Sequence, residues 1–455
     1  MFLGREKELA AIRNCINDGG NIMVYGPRRV GKTTLLKEAL KESPRIIIWY
    51  ECVEGSYEYN IELLAKSAAL ALSKSYLQSI RDIFELFDAI DECATKCVVV
   101  VDEYPYLKTS NVASHVDSYF QKLIDTKYEN ISFVLCGSYI SMMKELLTSD
   151  NPLFGRFSLK INLKQFNYLD AALFYPDLDI RDKIGFYSVF GGYPFILERL
   201  DANKSLEENI EELLLGDMGS IREEIENTIL KEIAKAGLSR EIIARIGNSR
   251  LRFKEIEDSF SVDVRGTLDR EIKRLIEMQL IEKSYPINKK DDRKKSFYEL
   301  SDNLLRFYYS YIFPVKSRLA MLSAKAFYKN FIEESLNTFI SKRFEGIARE
   351  YFIRKNKEAP ESSIIDIGTY WYDDKTKHIN GEFDCVLKTL SDEYEVYEVK
   401  YLKEPMTKSS IEKEVEKIKS IKDFRAKTIG MISSSGFKEN YPGVVLISGD
   451  ELYKR

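Results

Sequence analysis

At 455 residues the chain can hold about three domains of ordinary size. A composition of 44% hydrophobic and 31% charged residues is that of a globular protein, and no apolar run reaches the length of a membrane span. Lys and Arg number 68 against 72 Asp and Glu, a net charge of −4, so any contact with nucleic acid must use a local patch.

The start of the chain, Met1 to Glu6, is charged too early for a secretion signal, which points to a cytoplasmic protein with no membrane partner. The cysteines, Cys15, Cys52, Cys93, Cys97, Cys136 and Cys385, include no CxxC pair, and the histidines are His115 and His378. A structural zinc site is not expected, and most of the cysteines read as small core residues in a reducing compartment.

Phe2 to Leu9 leads into a first helix. Ile22 to Tyr25 then reads as a buried strand, followed by Gly26-Pro27-Arg28-Arg29-Val30-Gly31-Lys32-Thr33 and a helix with Leu35, Leu36 and Leu40 on one face. Strand, G-x-x-x-x-G-K-T loop and helix together make a P-loop. Gly26 and Gly31 let the backbone curl so that its N–H groups face phosphate oxygens, and the helix opening at Lys32, Thr33 and Thr34 adds its positive end. Lys32 would reach the terminal phosphates and the Thr33 hydroxyl would sit on Mg²⁺.

Arg45 to Tyr50 is a second short strand, and a helical stretch follows it. Cys97 to Val101 is a third strand, ending in Asp102-Glu103. Asp102 can hold Mg²⁺ through a water, and Glu103 can act as general base on the attacking water. Ile131 to Cys136 ends at Gly137-Ser138, where Ser138 would lie beside the γ-phosphate or simply turn the chain. Arg156, in the turn before a strand from Ser158 to Leu163, can stabilise phosphoryl charge in cis or across a subunit interface, or be a plain surface arginine. Alternating strands and helices predict an α/β, doubly wound parallel sheet over residues 1–165. A helical region over 166–235 is broken at Gly191-Gly192-Tyr193-Pro194.

These pieces resemble the archaeal-type P-loop ATPase family, which belongs with AAA+ proteins and signal-transduction ATPases with numerous domains. The resemblance rests on Phe2 to Leu9, Gly26 to Thr33, Val101-Asp102-Glu103, Gly137-Ser138, Pro152 to Arg156 and Gly191 to Pro194. It implies ATP and Mg²⁺ as cofactors, a helical lid, and adenine contacts near Arg5 and near Gly192-Tyr193-Pro194.

Residues 236–315 read as three helices and a hairpin and resemble a winged helix. The third helix mixes Arg265, Arg270, Lys273 and Arg274 with Asp269, Glu271 and Glu277, a poor face for phosphate. The wing tip is basic through Lys289, Lys290, Arg293 and Lys294, offset by Asp291 and Asp292, so a spacer or protein-contact role is preferred to DNA reading. Residues 316–455 read as helix, three strands, helix and two strands. Asp384 on one strand and Glu398-x-Lys400 on its neighbour place two carboxylates and a lysine for a Mg²⁺ site and a water, with Glu345 on the preceding helix completing the shell. This resembles the PD-(D/E)xK nuclease fold; a salt-bridged sheet face is the plain alternative.

The sequence therefore predicts an ATPase switch controlling a C-terminal nuclease-like module that cleaves or binds nucleic acid, DNA before RNA. The rival is an ATP-regulated DNA-binding or protein-interaction regulator without cleavage. Protein partners and oligomeric state stay open.

Overall fold

The computed structural model describes residues 2–455 apart from positions 94, 110–112, 127, 129, 234–236, 248, 262–263, 291, 375–378 and 422–423. His378, Asp291 and the expected boundary at 235/236 lie outside the described residues. Two compact units form: Met1–Gln165 with Tyr193–Phe195, and Phe166–Gly192 with Ile196–Arg455. No helix among the described residues is long and apolar enough to cross a membrane.

The first unit runs α1 (Glu6–Asn17), β1 (Ile22–Tyr25), α2 (Lys32–Leu40), β2 (Ile46–Glu51), α3 (Tyr57–Leu72), α4 (Ile83–Asp91), β3 (Cys97–Asp102), α5 (Ala113–Asp125), β4 (Ile131–Gly137), α6 (Ile140–Glu145) and β5 (Leu159–Asn162). Its five strands are all parallel, in the order β2-β3-β4-β1-β5. Their near-continuous apolar runs suit a sheet covered on both faces. Alternation divides them cleanly. Val24, Val98, Val100, Val134 and Cys136 enter a core with Leu35 and Leu36 of α2 and Ile12 and Ile16 of α1. Met23, Val99, Val101, Phe133 and Leu135 enter a second core with α3, α4 and α5. The expected doubly wound parallel sheet is thus present. The helical stretch after β2 is two helices, because Ser73 turns left-handed at φ 54 and Asp82 caps a new start by accepting from the Phe84 and Glu85 amides.

The second unit begins with α7 (Tyr168–Ala171) and α8 (Ile180–Phe190), then α9 (Pro194–Leu197), which starts on the segment shared with the first unit. Next come α10 (Leu206–Ile210), α11 (Ser220–Ile233), α12 (Gly237–Ile246), β6 (Leu251–Arg252), α13 (Phe253–Asp258), α14 (Arg265–Glu277), β7 (Ile281–Ser284), β8 (Phe297–Leu300) and α15 (Asn303–Phe307). Strands β6-β8-β7 form a small antiparallel sheet. The first hairpin strand, β7, stops at Ser284, since Pro286 has no N–H for the ladder.

The remainder is α16 (Ala324–Phe331), α17 (Glu333–Glu358), β9 (Ile364–Asp374), β10 (Ile379–Thr389), β11 (Tyr394–Lys400), α18 (Lys408–Lys419), β12 (Ala426–Ser433), β13 (Val445–Ser448) and α19 (Gly449–Leu452). The sheet is mixed, ordered β13-β12-β11-β10-β9, antiparallel from β9 to β11 and parallel from β11 to β13. The loop between β7 and β8 docks on its outermost strand. Ile287 is buried in the core beneath this sheet. The Asn288 side chain donates to the Trp371 carbonyl at 2.8 Å and accepts from the Trp371 amide at 3.1 Å. Lys290 pairs with Asp366 at 2.6 Å, and the Lys295 ammonium stands 3.7 Å from the Trp371 ring centre.

Glu350 of α17 is half-buried against α8, where the Tyr187 hydroxyl donates to it at 3.4 Å. Burial pushes its carboxyl up to about 7, against the opposing hydrogen bonds from Tyr168 and Tyr187. Its contribution to stability is therefore complete below about 4.5 and is lost as the pH rises through about 7. Glu350→Gln should unfold a few degrees higher than wild type near pH 8.5, up to about 3 kcal/mol more stable, and the two should converge near pH 4.5 in thermal melts.

Candidate functional site

Lys32 opens α2 after Gly31, which is left-handed at φ 90; Arg29 is left-handed too, at φ 65. These turns fold the loop back on itself. The Lys32 ammonium donates to the Gly26 and Pro27 carbonyls, each at 2.9 Å, and to the Ser138 hydroxyl at 2.7 Å. Gly26, at φ 155, lies against the chain leaving β5: a Cβ there would sit 2.1 Å from the Leu163 carbonyl oxygen. Val30 is buried beneath the loop, and Thr34 is exposed on the first turn of α2.

Because β4 lies between β1 and β3, the end of β4 carries Ser138 between the loop and the Asp102-Glu103 pair. Ser138 Oγ donates to Glu103 Oε1 at 2.6 Å while its amide donates to Oε2 at 3.2 Å. Lys32, Ser138 and Glu103 are thus joined by one hydroxyl. Thr33 Oγ1 donates to Asp102 Oδ2 at 2.8 Å. Glu103 itself is left-handed at φ 51, a conformation costing on the order of 1–3 kcal/mol for a non-glycine residue. The segment after it is pinned: Asp117 accepts from the Tyr104 hydroxyl, Lys108 and Asn151 at 2.7, 2.7 and 2.8 Å. Hard oxygen donors on Thr33 and Asp102 beside a helix N-terminus fit Mg²⁺ and an anionic polyphosphate.

Around the loop, Arg28 donates to the Tyr106 hydroxyl at 3.0 Å and faces the Tyr139 ring. The Arg29 guanidinium lies 4.4 Å from the Phe195 ring centre, and a Cβ on Gly31 would meet the Pro194 ring at 3.7 Å. Tyr193 is partly buried and packs against the core that includes Leu35 and Leu36 of α2. Arg5 is buried at the N-cap of α1, pairs with Glu8 at 3.4 Å and donates to the Lys164 carbonyl. Arg156 holds Asp125 in a two-pronged pair at 2.9 and 2.8 Å, and donates to the Pro152 and Phe154 carbonyls.

In the second unit, Asp384, Glu398, Lys400 and Glu345 share one neighbourhood. Lys400 lies 3.2 Å from Glu398, which is 1% exposed, and the Val399 amide donates to Asp384 at 3.2 Å. Burial and the facing Glu345 push the Asp384 carboxyl up to about 6. Burial, then Asp384, pushes Glu398 up. Burial alone would lower Lys400, but Glu398, Glu414 and Asp384 together hold its ammonium above the ordinary value.

Two members went unnoticed in the sequence. Glu414 and Lys417 of α18 close the ring, with Lys400–Glu414 at 3.1 Å and Lys417 at 3.5 Å from both Glu398 and Glu414. Their only signal is an i, i+3 pair flanking the Ile411, Val415, Ile418 stripe. The buried oxygens of Asp384 and Glu398 suit a divalent cation in kind, but no group of three or more His, Cys, Asp or Glu among the described residues is placed to hold one. Next to Lys400, Tyr401 donates to the Arg181 carbonyl of α8 at 3.3 Å, and the Arg181 guanidinium lies 4.8 Å from its ring centre.

The all-parallel sheet, with its phosphate loop and acidic strand end bridged by Ser138, places the first unit in the P-loop NTPase class. Residues 2–200 match the family model of an ATPase domain predominantly from Archaea. Residues 308–418 match a second model, of archaeal and bacterial proteins of unknown function. An uncharacterized protein of Methanocaldococcus jannaschii is 27% identical over 381 residues, 82% of each chain. The Walker-type ATPase of Pyrococcus abyssi superposes with a TM-score of 0.51 at 18% identity, over 68% of this chain and 96% of that one, a likeness of fold.

Ser138→Ala removes the bridging hydroxyl without disturbing the loop backbone. ATP binding, read with a fluorescent analogue, should persist, while steady-state hydrolysis should fall about 10- to 100-fold.

Proposed function

We propose that the chain is a Mg²⁺-dependent ATP switch whose nucleotide state sets the posture of a C-terminal module acting on nucleic acid. The observation that carries the ATPase half is the Lys32–Ser138–Glu103 chain of hydrogen bonds beside the Thr33–Asp102 pair. Mg²⁺, held by Thr33 and Asp102, would supply charge neutralisation at the phosphates. Lys32 would exchange its loop carbonyls for phosphate oxygens. Ser138 would turn its proton to the γ-phosphate, and that leaves Glu103 Oε1 open to take a proton from water. Arg5, Tyr193 and Pro194 are read as the adenine side of the site. Arg156 would have to trade Asp125 for phosphate to assist, in cis or in trans.

The route to the C-terminal module follows the chain. Residues Tyr193–Phe195 accompany the phosphate loop, and the helix that precedes them, α8, touches Tyr401 beside Lys400. A change in α8 therefore bears directly on the Asp384, Glu398, Lys400 cluster, which is read as a PD-(D/E)xK-like centre. Helices α12 to α14 with β6 to β8 are read as a winged helix serving as a spacer. On α14 Lys273 pairs with Asp269 at 2.6 Å and Arg274 with Glu271 at 3.4 Å, and the wing loop is docked on β9.

A second reading, a regulator that binds without cutting, is favoured by the ion pairs of Lys400 and Lys417 that neutralise Glu398 and Glu414. Cleavage assays on single- and double-stranded DNA and RNA with Mg²⁺ or Mn²⁺ separate the two. The nuclease reading expects cleavage that Asp384→Ala and Lys400→Ala abolish; no wild-type cleavage in any nucleotide state, or equal cleavage by the variants, leaves the regulator.

For the ATPase half, Lys32→Ala should abolish nucleotide binding, and Glu103→Gln should retain ATP yet stop turnover. Unchanged hydrolysis in both would overturn the assignment.

A further inference from the structure

The C-terminal cluster has a second side, built of arginines, that the groups above do not use. Arg250 ahead of β6, Arg306 on α15, and Arg343 and Arg349 on α17 all act on the charge of Glu299 of β8, so the four converge on one region of the second unit. Two of them are matched. Arg250 lies 2.9 Å from Glu382, whose other oxygen accepts from Thr369 at 2.7 Å. Arg306 pairs with Glu299 at 3.1 Å and with Glu282, and donates to the Leu300 carbonyl.

The other two are not. Among the described residues, the one hydrogen bond of Arg349 runs to the main-chain carbonyl of Asp384 at 2.7 Å. Arg343 forms neither hydrogen bond nor ion pair with the described residues; its Nε is buried without an acceptor among them and its guanidinium stands 5.7 Å from the Phe339 ring centre. A buried donor without an acceptor is costly, and native proteins seldom carry one without a reason. Arg343 and Arg349 are nevertheless only half-buried, so their guanidinium groups are not sealed from solvent. The carboxylates of Glu282, Glu299 and Glu382 are already engaged by Arg250 and Arg306. The charges of Glu299 and Glu345 act on Arg343, and that of Glu345 on Arg349, yet among the described residues no carboxylate stands within ion-pair distance of either; what the two lack is an acceptor in direct contact, which a guanidinium fork recognises best as carboxylate or phosphate.

We propose that Arg343 and Arg349 form a binding site for the phosphate backbone of a nucleic-acid strand, on the α17 side of Asp384. Arg349 reaches the main chain of Asp384 itself, so a phosphodiester held there lies beside the carboxylates. Glu345 lies between them on α17, two residues from Arg343 and four from Arg349, and its charge acts on both. The site deepens the nucleic-acid reading of the C-terminal module and rests on it.

The test uses the full chain in EDTA, so that cleavage plays no part. Fluorescence anisotropy of a short labelled DNA strand, and of the same sequence as RNA, is followed across a salt series. Inorganic phosphate and polyglutamate serve as competitors. Wild type should bind, with phosphate the better competitor. The double variant Arg343→Gln, Arg349→Gln should bind about tenfold or more weakly, and the slope of log affinity against log salt should flatten by about 1.4, at about 0.7 per phosphate contact. Arg343→Lys should recover part of the affinity. Binding of an ATP analogue at the phosphate loop reports that the variants are folded. Dicarbonyl labelling of wild-type arginines gives a reading that needs no variant: bound strand should protect Arg343 and Arg349. Unchanged affinity and slope in the double variant, no protection of either arginine, or stronger competition by polyglutamate overturns the site alone. Failure of wild type to bind DNA or RNA removes the nucleic-acid reading as well.

Discussion

A hydroxyl group has one proton to give, and the first unit is arranged around that limit. Ser138 accepts from Lys32 and gives its proton to Glu103, so it ties the loop lysine to the strand-end carboxylate. The bridge exists only because β4 is inserted between β1 and β3 and ends level with both. The same hydroxyl cannot serve Glu103 and a phosphate oxygen together. In the mechanism proposed above, competition for a single proton would let the site tell its states apart, and the two hydrogen bonds from Ser138 hold the carboxylate of the left-handed Glu103 within reach of that competition.

The second unit solves a different electrostatic problem. Asp384, Glu398 and Glu345 are gathered where water is scarce, which favours their neutral forms. Lys400 and Lys417 approach from one side and Arg349 from another, so the acids are balanced by cations on different elements. Balanced buried charges contribute little net stability but demand an exact geometry. That places the cluster under the influence of whatever positions α8, α17 and α18. Tyr401, stacked against Arg181, is the point where α8 reaches it.

The parallel sheet was legible because its strands are uninterrupted apolar runs that stop at Gly26, Asp102 and Gly137, and because each run alternates between two helix-covered faces. The shared face of Glu398 and Lys400 followed from strand period alone. What stayed hidden was set by packing between distant segments. Nothing local in Arg156 announces Asp125, 31 positions away. Glu414 and Lys417 look like any solvated helix face until α18 is laid across β11. The loop before β8 reads as a basic, solvent-facing tip, and only the tertiary fold turns Ile287 into a core residue and Asn288 into a main-chain partner of Trp371. Short elements also escaped: β6 is two residues long, below what a hydrophobic pattern can mark.

The clasp of Asn288 on Trp371 has a consequence for how the molecule behaves in company. An outermost strand is a template for any extended segment that drifts past, and here a single amide side chain occupies part of the template with both a donor and an acceptor. Whatever lifts the loop would free Lys290 and Lys295 and in the same stroke bare the amide and carbonyl of Trp371 on the edge of β9. The contact that buries Ile287 and the one that covers the Trp371 main chain are therefore made and lost together.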